Sequence, residues 1–203
     1  MPKPEPSFAS SEDPLERSPV RILIVDDHPL LRSGLRQLIE TEPHWEVCGE
    51  AASVDEAMRQ FRCTAPALVI VDIALDKSDG LDLVRRITDT DPAARVLVLS
   101  MYDEMLYAER SLRAGANGYV NKQQSNLEIL EAIRTVLDGD LYLSAAMSRS
   151  LLRRAAKGSG SLADAPTATL SDREMQVFRL IGQGCDTAEI ARELHLSSNT
   201  IGT

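Results

Sequence analysis

Aromatic residues are scarce in this sequence, at 4% of 203 residues, whereas hydrophobic residues make up 43%. Aliphatic side chains must therefore fill the core, and the length allows one or two domains. Cysteine is also rare: the three thiols, Cys48, Cys63 and Cys185, have no metal-ligand spacing and are odd in number. That usage is typical of a reduced cytosolic protein rather than of a disulfide framework.

Long apolar runs are missing as well, which excludes a membrane span within the sequence. The first 19 residues are rich in proline and serine and have no apolar segment, so they do not resemble a signal peptide. We expect a disordered tail over residues 1–19 and a cytoplasmic protein without membrane contact.

Positive charge is in deficit, since the formal net charge is −9. The acidic excess lies in residues 20–144, with 13 Lys/Arg against 21 Asp/Glu, whereas residues 145–203 hold 7 against 6. This charge argues against a protein whose whole surface meets nucleic acid. The acidity belongs to the first folded unit.

What is present from residue 21 onward is an alternation of apolar runs and amphipathic segments. Five strands are predicted, and each is followed by a helical pattern: RILIV, WEVCGEA, ALVIVDIA, RVLVLS and GYVNK. Near-continuous apolar strands indicate a parallel sheet that is covered on both faces and joined by right-handed crossovers. The predicted fold is a doubly wound α/β domain with five parallel strands over residues 20–140.

Polar residues recur at the carboxyl ends of these strands: Asp26 and Asp27, then Asp72, Ser100 and Lys122. In such a sheet this edge forms the ligand-binding crevice. Three neighbouring carboxylates need a cation, and hard oxygen ligands suit Mg²⁺. Asp72 stands alone among apolar neighbours and is the natural nucleophile for a phosphoryl group. Lys122 and the metal would neutralise charge on the transferring oxygens.

Each of these residues also has a purely structural explanation. Asp27 can be an N-cap of the following helix, and Asp72 can be a turn residue. Lys122 can be a surface charge and Ser100 a strand-end hydroxyl. Because all of them match one site, coincidence is the weaker explanation. His28, beside the acids, is expected to face solvent or pack in the loop rather than bind a ligand.

The segments VDDH, VIVDIAL…DG, LS and GYVNK, in this order, resemble a response-regulator receiver domain over residues 20 to about 140. The whole chain resembles the NarL/FixJ class, in which a receiver precedes a LuxR-type helix-turn-helix. The resemblance implies a flavodoxin-like receiver fold. It also implies a sensor histidine kinase as the phosphoryl donor, through its phosphohistidine.

The resemblance further implies roles for individual residues. The reactive set is Asp72 as phosphoacceptor, Lys122 as phosphate-binding lysine, Ser100 as switch hydroxyl and Tyr119 as switch aromatic. The implied Mg²⁺ ligands are Asp26, Asp27, Asp72 and the backbone carbonyl of Ala74.

The sequence departs from the family pattern in two places. The loop after Asp72 reads IALDKSDG, without the proline often found there. Ala74 and Tyr102 occupy the positions that influence hydrolysis of the acyl phosphate in this family. A small residue cannot orient an attacking water, and a tyrosine can screen the site. We therefore expect slow self-dephosphorylation.

Residues 141–166 are predicted to be a linker that opens with a short helix, because they are rich in Gly, Ser, Ala and Pro. Residues 167–203 resemble part of a LuxR-type unit, with helices predicted over 172–183 and 187–194. Two capping boxes are predicted in this unit, Ser171 with Glu174 and Asp186 with Glu189, besides one at the second helix of the sheet domain, Ser53 with Glu56.

The final stretch, SSNTIGT, resembles the start of the recognition helix, with Ser197 as its cap. Because the sequence stops there, we expect weak or absent DNA binding. We also expect apolar residues of the half-built unit to be exposed, namely Val177, Leu180, Ile190 and Leu194.

The predicted function is that of a response regulator, which accepts a phosphoryl group on Asp72 to control transcription, with a possible phosphorylation-dependent homodimer. Beyond its own phosphorylation and hydrolysis it is not expected to be an enzyme. The alternative is a receiver that acts by protein contact or as a phosphate sink. A phosphatase of the haloacid-dehalogenase type would need a second strand-end carboxylate, which DIALD does not supply. A pseudo-receiver would lack one of the acids or the lysine, and all are present.

Overall fold

The computed structural model describes residues 18–75, 79–156, 170, 172–182 and 184–194. Its five strands are β1 (Val20–Val25), β2 (Trp45–Ala51), β3 (Leu68–Val71), β4 (Val96–Ser100) and β5 (Gly118–Asn121). The helices are α1 (Pro29–Ile39), α2 (Val54–Thr64), α3 (Gly80–Thr90), α4 (Glu104–Arg113), α5 (Asn126–Asp138), α6 (Ala145–Ala156), α7 (Asp172–Gly182) and α8 (Thr187–Glu193).

All five strands are parallel, in the order β2-β1-β3-β4-β5. Each strand is followed by a helix, as the sequence predicts, and the order reverses between β1 and β3. Ligand sites in such sheets lie at the carboxyl edge near this reversal. The doubly wound five-stranded fold is confirmed.

The two faces of the sheet carry separate apolar clusters because successive strand residues point to opposite sides. In β1, Leu23 and Val25 join the cluster under α2 and α3, whereas Ile22 and Ile24 join the cluster under α1 and α5. All four side chains are at most 1% exposed. Burial on both faces explains why these strands read as continuous apolar runs.

The segment after α5 lies along the edge of β5. Tyr142 forms a parallel bridge with Gly118, its carbonyl accepts from the Tyr119 amide at 3.0 Å, and its own amide donates to the Asn117 carbonyl at 3.0 Å. We call residues 141–144 the strap. From the strap the chain enters α6, which packs against α4. Within the predicted linker, therefore, the first part is attached to the receiver sheet.

Helices α7 and α8 pack against each other. Leu180, Ile190 and Leu194 form a small buried cluster between them, with Val177 partly buried against it. The prediction that these four residues are exposed is wrong, because the apolar faces of the two helices turn toward each other across the turn at Gly184. The large apolar side chains left exposed on α7 are Phe178 and Ile181, at 53% and 57%.

Some helix ends follow the predicted capping chemistry. At the start of α2 the Ser53 hydroxyl accepts from the Glu56 amide at 3.4 Å, but the Glu56 carboxylate accepts from the Ala52 amide, so the predicted box is only half formed. Asp186 and Glu189 form the predicted capping box of α8. Ser171 and residues 195–203, with Ser197 and the predicted recognition helix, lie outside the described residues. A further box, Ser125 with Glu128, starts α5 and was not predicted. No described helix is both long enough and apolar enough to span a bilayer.

Candidate phosphoacceptor site

The strand register brings the predicted residues together. Val25 pairs with Val71, so Asp26 and Asp72, one residue further on, emerge side by side from adjacent strands. On the other side, the Lys122 amide donates to the Ser100 carbonyl at 2.8 Å, which holds the loop after β5 beside the end of β4.

Lys122 is the centre of the charge arrangement. Its Nζ lies 2.5 Å from Asp26 Oδ2 and 2.6 Å from Asp72 Oδ2. All three side chains are at least nine-tenths buried. An isolated buried charge is costly, and this ammonium is stabilised by two carboxylates at once.

Burial and charge act against each other in the pair of Lys122 and Asp72. Burial raises the pKa of Asp72, and the Lys122 charge only partly offsets this. Burial by itself would lower the pKa of Lys122, but Asp72 and Asp26 outweigh it, so the pKa of Lys122 is raised. The lysine therefore stays charged between the two carboxyl groups.

Asp27 lies next to this pair with its side chain 16% exposed. The N-cap of α1 is His28, not Asp27, so the interpretation of Asp27 as a helix cap is wrong. The chain is still extended at His28 because Pro29 follows and disfavours helical geometry before it. Asp27 Oδ1 instead lies 2.7 Å from His28 Nδ1.

The loop after β3 is shaped around Asp72. Asp72 Oδ1 accepts from the Ala74 amide at 3.0 Å, which orients the carboxylate. A Cβ on Gly80 would lie 2.3 Å from the Asp72 carbonyl oxygen and 2.4 Å from Ile73 Cα, so only glycine fits there. The sequence motif DG thus marks a close approach of α3 to the strand end. Residues 76–78 of the loop lie outside the described residues.

Ser100 and Tyr119 meet at the backbone of Tyr102. The Ser100 hydroxyl is buried and accepts from the Tyr102 amide at 3.3 Å. The Tyr119 hydroxyl donates to the Tyr102 carbonyl at 2.8 Å, and Asn121 Nδ2 donates to the same oxygen at 3.0 Å. Tyr119 is 1% exposed, and burial raises its pKa. Both predicted switch residues therefore contact the backbone segment that follows β4.

Two arginines near this edge, Arg32 and Arg36, were not predicted to take part in the site. Arg32 Nη1 donates to the Asp26 carbonyl at 2.5 Å, and its Nε lies 3.2 Å from Glu50 Oε2. Arg36 donates to Glu50 at 2.6 Å and is the main cause of the lowered pKa of that carboxyl. The signal was available only as two arginines, one helical turn apart, in a segment predicted to lie beside the acidic loop.

The acids also form a group that can hold a metal. Within the part of the chain that the structure describes, one cluster qualifies: Asp26, Asp27, His28 and Asp72 each offer a ligand atom, and these atoms all lie within 4.8 Å of one another. Carboxylate oxygens are the ligands that Mg²⁺ uses in phosphoryl-transfer sites. The donor set fits a divalent cation.

The fold, with its acidic cluster at the carboxyl edge, is typical of a receiver domain joined to a helix-turn-helix unit, and comparison with known proteins agrees. Residues 22–134 match the response regulator receiver domain family, and residues 168–203 match the luxR family of bacterial regulatory proteins. The chain belongs to the response regulators of the NarL/FixJ class, in which phosphorylation of a receiver controls transcription.

Two relatives illustrate the similarity. The transcriptional regulatory protein MctR of Rhizobium johnstonii is 35% identical over 188 residues, which cover 93% of this chain and 85% of that protein. The virulence-factor transcription regulator BvgA of Bordetella pertussis is 35% identical over 184 residues, which cover 90% and 86%.

Solved structures show the same architecture. A LuxR-family two-component response regulator from Aurantimonas sp. SI85-9A1 has a TM-score of 0.64 at 37% identity, over 68% of this chain and 99% of that chain. RcsB of Salmonella enterica serovar Typhimurium, bound to the promoter rprA with a phosphomimetic, has a TM-score of 0.61 at 26% identity, over 91% and 88%. The relatives are transcription regulators, which gives no support to a phosphate sink.

Proposed function

We propose that Asp72 is the phosphoacceptor, and that Asp26, Asp27 and Asp72 with the Ala74 carbonyl hold the Mg²⁺ that its phosphorylation requires. The observation that carries this proposal is the position of Lys122 Nζ, within 2.6 Å of both Asp26 and Asp72. A buried ammonium at that point lies where a phosphoryl group on Asp72 would place its oxygens. A surface lysine or a turn aspartate has no reason to be buried in this way.

The transfer step follows from the carboxylate geometry. An oxygen of Asp72 attacks the phosphorus of a phosphohistidine; the new P–O bond forms as the P–N bond breaks. The imidazole leaves with the bonding electron pair and takes a proton from solvent. Lys122 neutralises charge on the transferring oxygens, and the Ala74 amide holds Asp72 in place for attack. The metal, when bound, supplies further positive charge to the same oxygens.

A phosphoryl group on Asp72 would change the contacts of Ser100 and Tyr119. The Ser100 hydroxyl could donate to a phosphoryl oxygen, and it would then turn away from the Tyr102 amide that it now accepts from. The Tyr102 carbonyl also accepts a hydrogen bond from the Tyr119 hydroxyl, so the two switch residues are coupled through one backbone segment. The phosphoryl group would favour the packing in which Ser100 contacts it over the packing in which Ser100 contacts the Tyr102 amide. Such a change is a population shift between two states.

The strap offers a path from this switch to the rest of the chain. The Tyr119 amide is bonded to the Tyr142 carbonyl, and the next element after the strap is α6. The Ser144 amide donates to Glu104 Oε1 at 2.8 Å, which ties the start of α6 to the start of α4. A shift of Tyr119 or α4 would therefore displace the residues at the beginning of the linker.

The proposal extends to partners and location. A sensor histidine kinase would donate the phosphoryl group, and DNA would be contacted through the luxR-family unit. The structural relative RcsB has been solved bound to the promoter rprA, which supports DNA as a partner. Phosphorylation would favour a homodimer, and the family setting supports a cytoplasmic location. The chain would catalyse only its own phosphorylation and hydrolysis, and in that sense it is not an enzyme.

The test is intact-mass spectrometry after incubation with phosphoramidate, with and without Mg²⁺. We expect one phosphoryl adduct on the wild-type chain that requires Mg²⁺, and none on Asp72→Asn. Asp82→Asn, an exposed acid on α3, is the matched control and should be phosphorylated like the wild type. An adduct on Asp72→Asn, or none on the wild type, would contradict the proposal.

A further inference from the structure

We propose that His28 is an additional ligand of the metal site, which makes this site selective for borderline divalent ions such as Co²⁺ and Zn²⁺ over Mg²⁺. The inference rests on the proposed metal site and extends it. It also revises the sequence-based expectation that His28 faces solvent or packs in the loop rather than binding a ligand. The side chain is 61% exposed, but its Nδ1 points to the acids.

The distances fit neighbouring positions around one ion. His28 Nδ1 lies 2.7 Å from Asp27 Oδ1 and 3.4 Å from Asp26 Oδ1. Two ligands about 2.1 Å from a metal and at right angles to each other are about 3 Å apart, so the two distances bracket that value. Opposite ligands would be about 4 Å apart, within the 4.8 Å that encloses the whole group with Asp72.

The local backbone holds the imidazole against the acids rather than on the helix N-terminus, with Nδ1 already 2.7 Å from Asp27 Oδ1. His28 occupies the N-cap position of α1 with φ −89° and ψ 107°, yet its side chain makes no capping bond. Its amide donates to Asp26 Oδ1 at 2.8 Å, which fixes the residue against the acidic loop. Because the ring is largely exposed, an ion can reach it from solvent with little displacement of the protein.

The chemistry of the imidazole donor decides which ions bind more tightly when His28 is a ligand. Mg²⁺ prefers oxygen ligands and retains several waters, so it gains little from an imidazole. Zn²⁺ and Co²⁺ bind imidazole nitrogen well, and their affinities for mixed nitrogen and oxygen sites exceed those of lighter ions. Three carboxylates and one imidazole would therefore hold these ions more tightly than the carboxylates alone.

A Co²⁺ or Zn²⁺ ion held by His28 would occupy the position of Mg²⁺ and would compete with it. The concentration of free transition metal would then modulate how fast the chain is phosphorylated. This effect would be absent from a chain in which residue 28 cannot bind a metal.

The experiment is isothermal titration calorimetry of the full chain with Mg²⁺ and with Co²⁺, in a Cys63→Ser background that removes the exposed thiol as a competing ligand. His28→Asn is compared with His44→Asn, which replaces an exposed histidine just before β2, at the amino edge of the sheet. We expect His28→Asn to weaken Co²⁺ binding at least tenfold and to change Mg²⁺ binding less than twofold. His44→Asn should change neither.

The outcomes separate the two proposals. An unchanged Co²⁺ affinity in His28→Asn would overturn the assignment of His28 as a ligand. An equal loss for Co²⁺ and Mg²⁺ would overturn the selectivity and reduce His28 to support for the loop. If the wild-type chain binds Co²⁺ but not Mg²⁺, the proposed Mg²⁺ site is wrong, while the comparison with His28→Asn still decides the role of His28.

Discussion

Replacing Lys122 with methionine removes the charge at the centre of the site and keeps most of the side-chain volume. Asp26 and Asp72 would then be buried at 4% and 3% exposure without their shared counter-ion. Loss of one partner from a buried ion pair costs about 3–5 kcal/mol. We expect Lys122→Met to lower the free energy of unfolding by roughly that amount at pH 7 without Mg²⁺.

Protonation sets a ceiling on this cost and gives it a pH dependence. A buried carboxylate can take up a proton, and doing so from an ordinary pKa of 3.8 costs about 4 kcal/mol at pH 7 and about 2 kcal/mol at pH 5. The folded-state pKa of Asp72 is raised, so its favourable contribution is complete below 3.8 and is lost as the pH rises through the folded value. Lys122→Met should therefore lose more free energy of unfolding at pH 7 than at pH 5.

Urea denaturation of the wild type and Lys122→Met at both pH values measures this difference. Arg113→Met, which breaks a partly exposed pair with Glu109 at 3.3 Å, is the control and should cost less than about 1 kcal/mol at either pH. Mg²⁺ at a hundred times its dissociation constant should return about 2.7 kcal/mol to the variant. A Lys122→Met chain as stable as the wild type at pH 7 would refute the reasoning.

Three further changes test other parts of the site. Gly80→Ala should lower both the free energy of unfolding and the rate of phosphorylation, because its Cβ would lie 2.3 Å from the Asp72 carbonyl oxygen. Gly34→Ala is the control: a Cβ there has nothing within 4 Å, so the same urea titration should show no loss, or a gain of up to ~1 kcal/mol. The acyl phosphate should last minutes or longer, and Ala74→Asn should shorten its half-life roughly tenfold by orienting water; loss measured in seconds in the wild type would contradict this. Tyr119→Phe should cost about 1 kcal/mol, since Asn121 still donates to the Tyr102 carbonyl; no change in thermal melting would show that the hydroxyl bond is weak.

The sequence predicted those parts of the fold that depend on local pattern. The five strands could be predicted because both faces of the sheet are buried, which makes each strand a continuous apolar run. Asp26, Asp72 and Lys122 could be predicted because they interrupt these runs at strand ends. Parallel pairing of neighbouring strands then brings such residues together without any long-range detail.

The parts that were missed depend on packing between distant segments. The contact of Arg32 with the Asp26 carbonyl requires a particular helix rotation, which the apolar pattern of α1 allows but does not specify. The pairing of Tyr142 with Gly118 joins a linker segment to a strand edge, and nothing in the composition of the linker indicates it. The burial of Leu180 and Ile190 depends on the angle between two short helices.

Borohydride trapping tests the central claim most directly, because it converts an aspartyl phosphate into homoserine and marks the residue that carried it. The chain would be phosphorylated with phosphoramidate and Mg²⁺, reduced, digested and mapped by tandem mass spectrometry. The mark is predicted at Asp72 alone, in the peptide that contains VIVDIAL. A mark at Asp26 or Asp27, or a phosphorylated chain with Asp72 unmodified, would contradict the assignment.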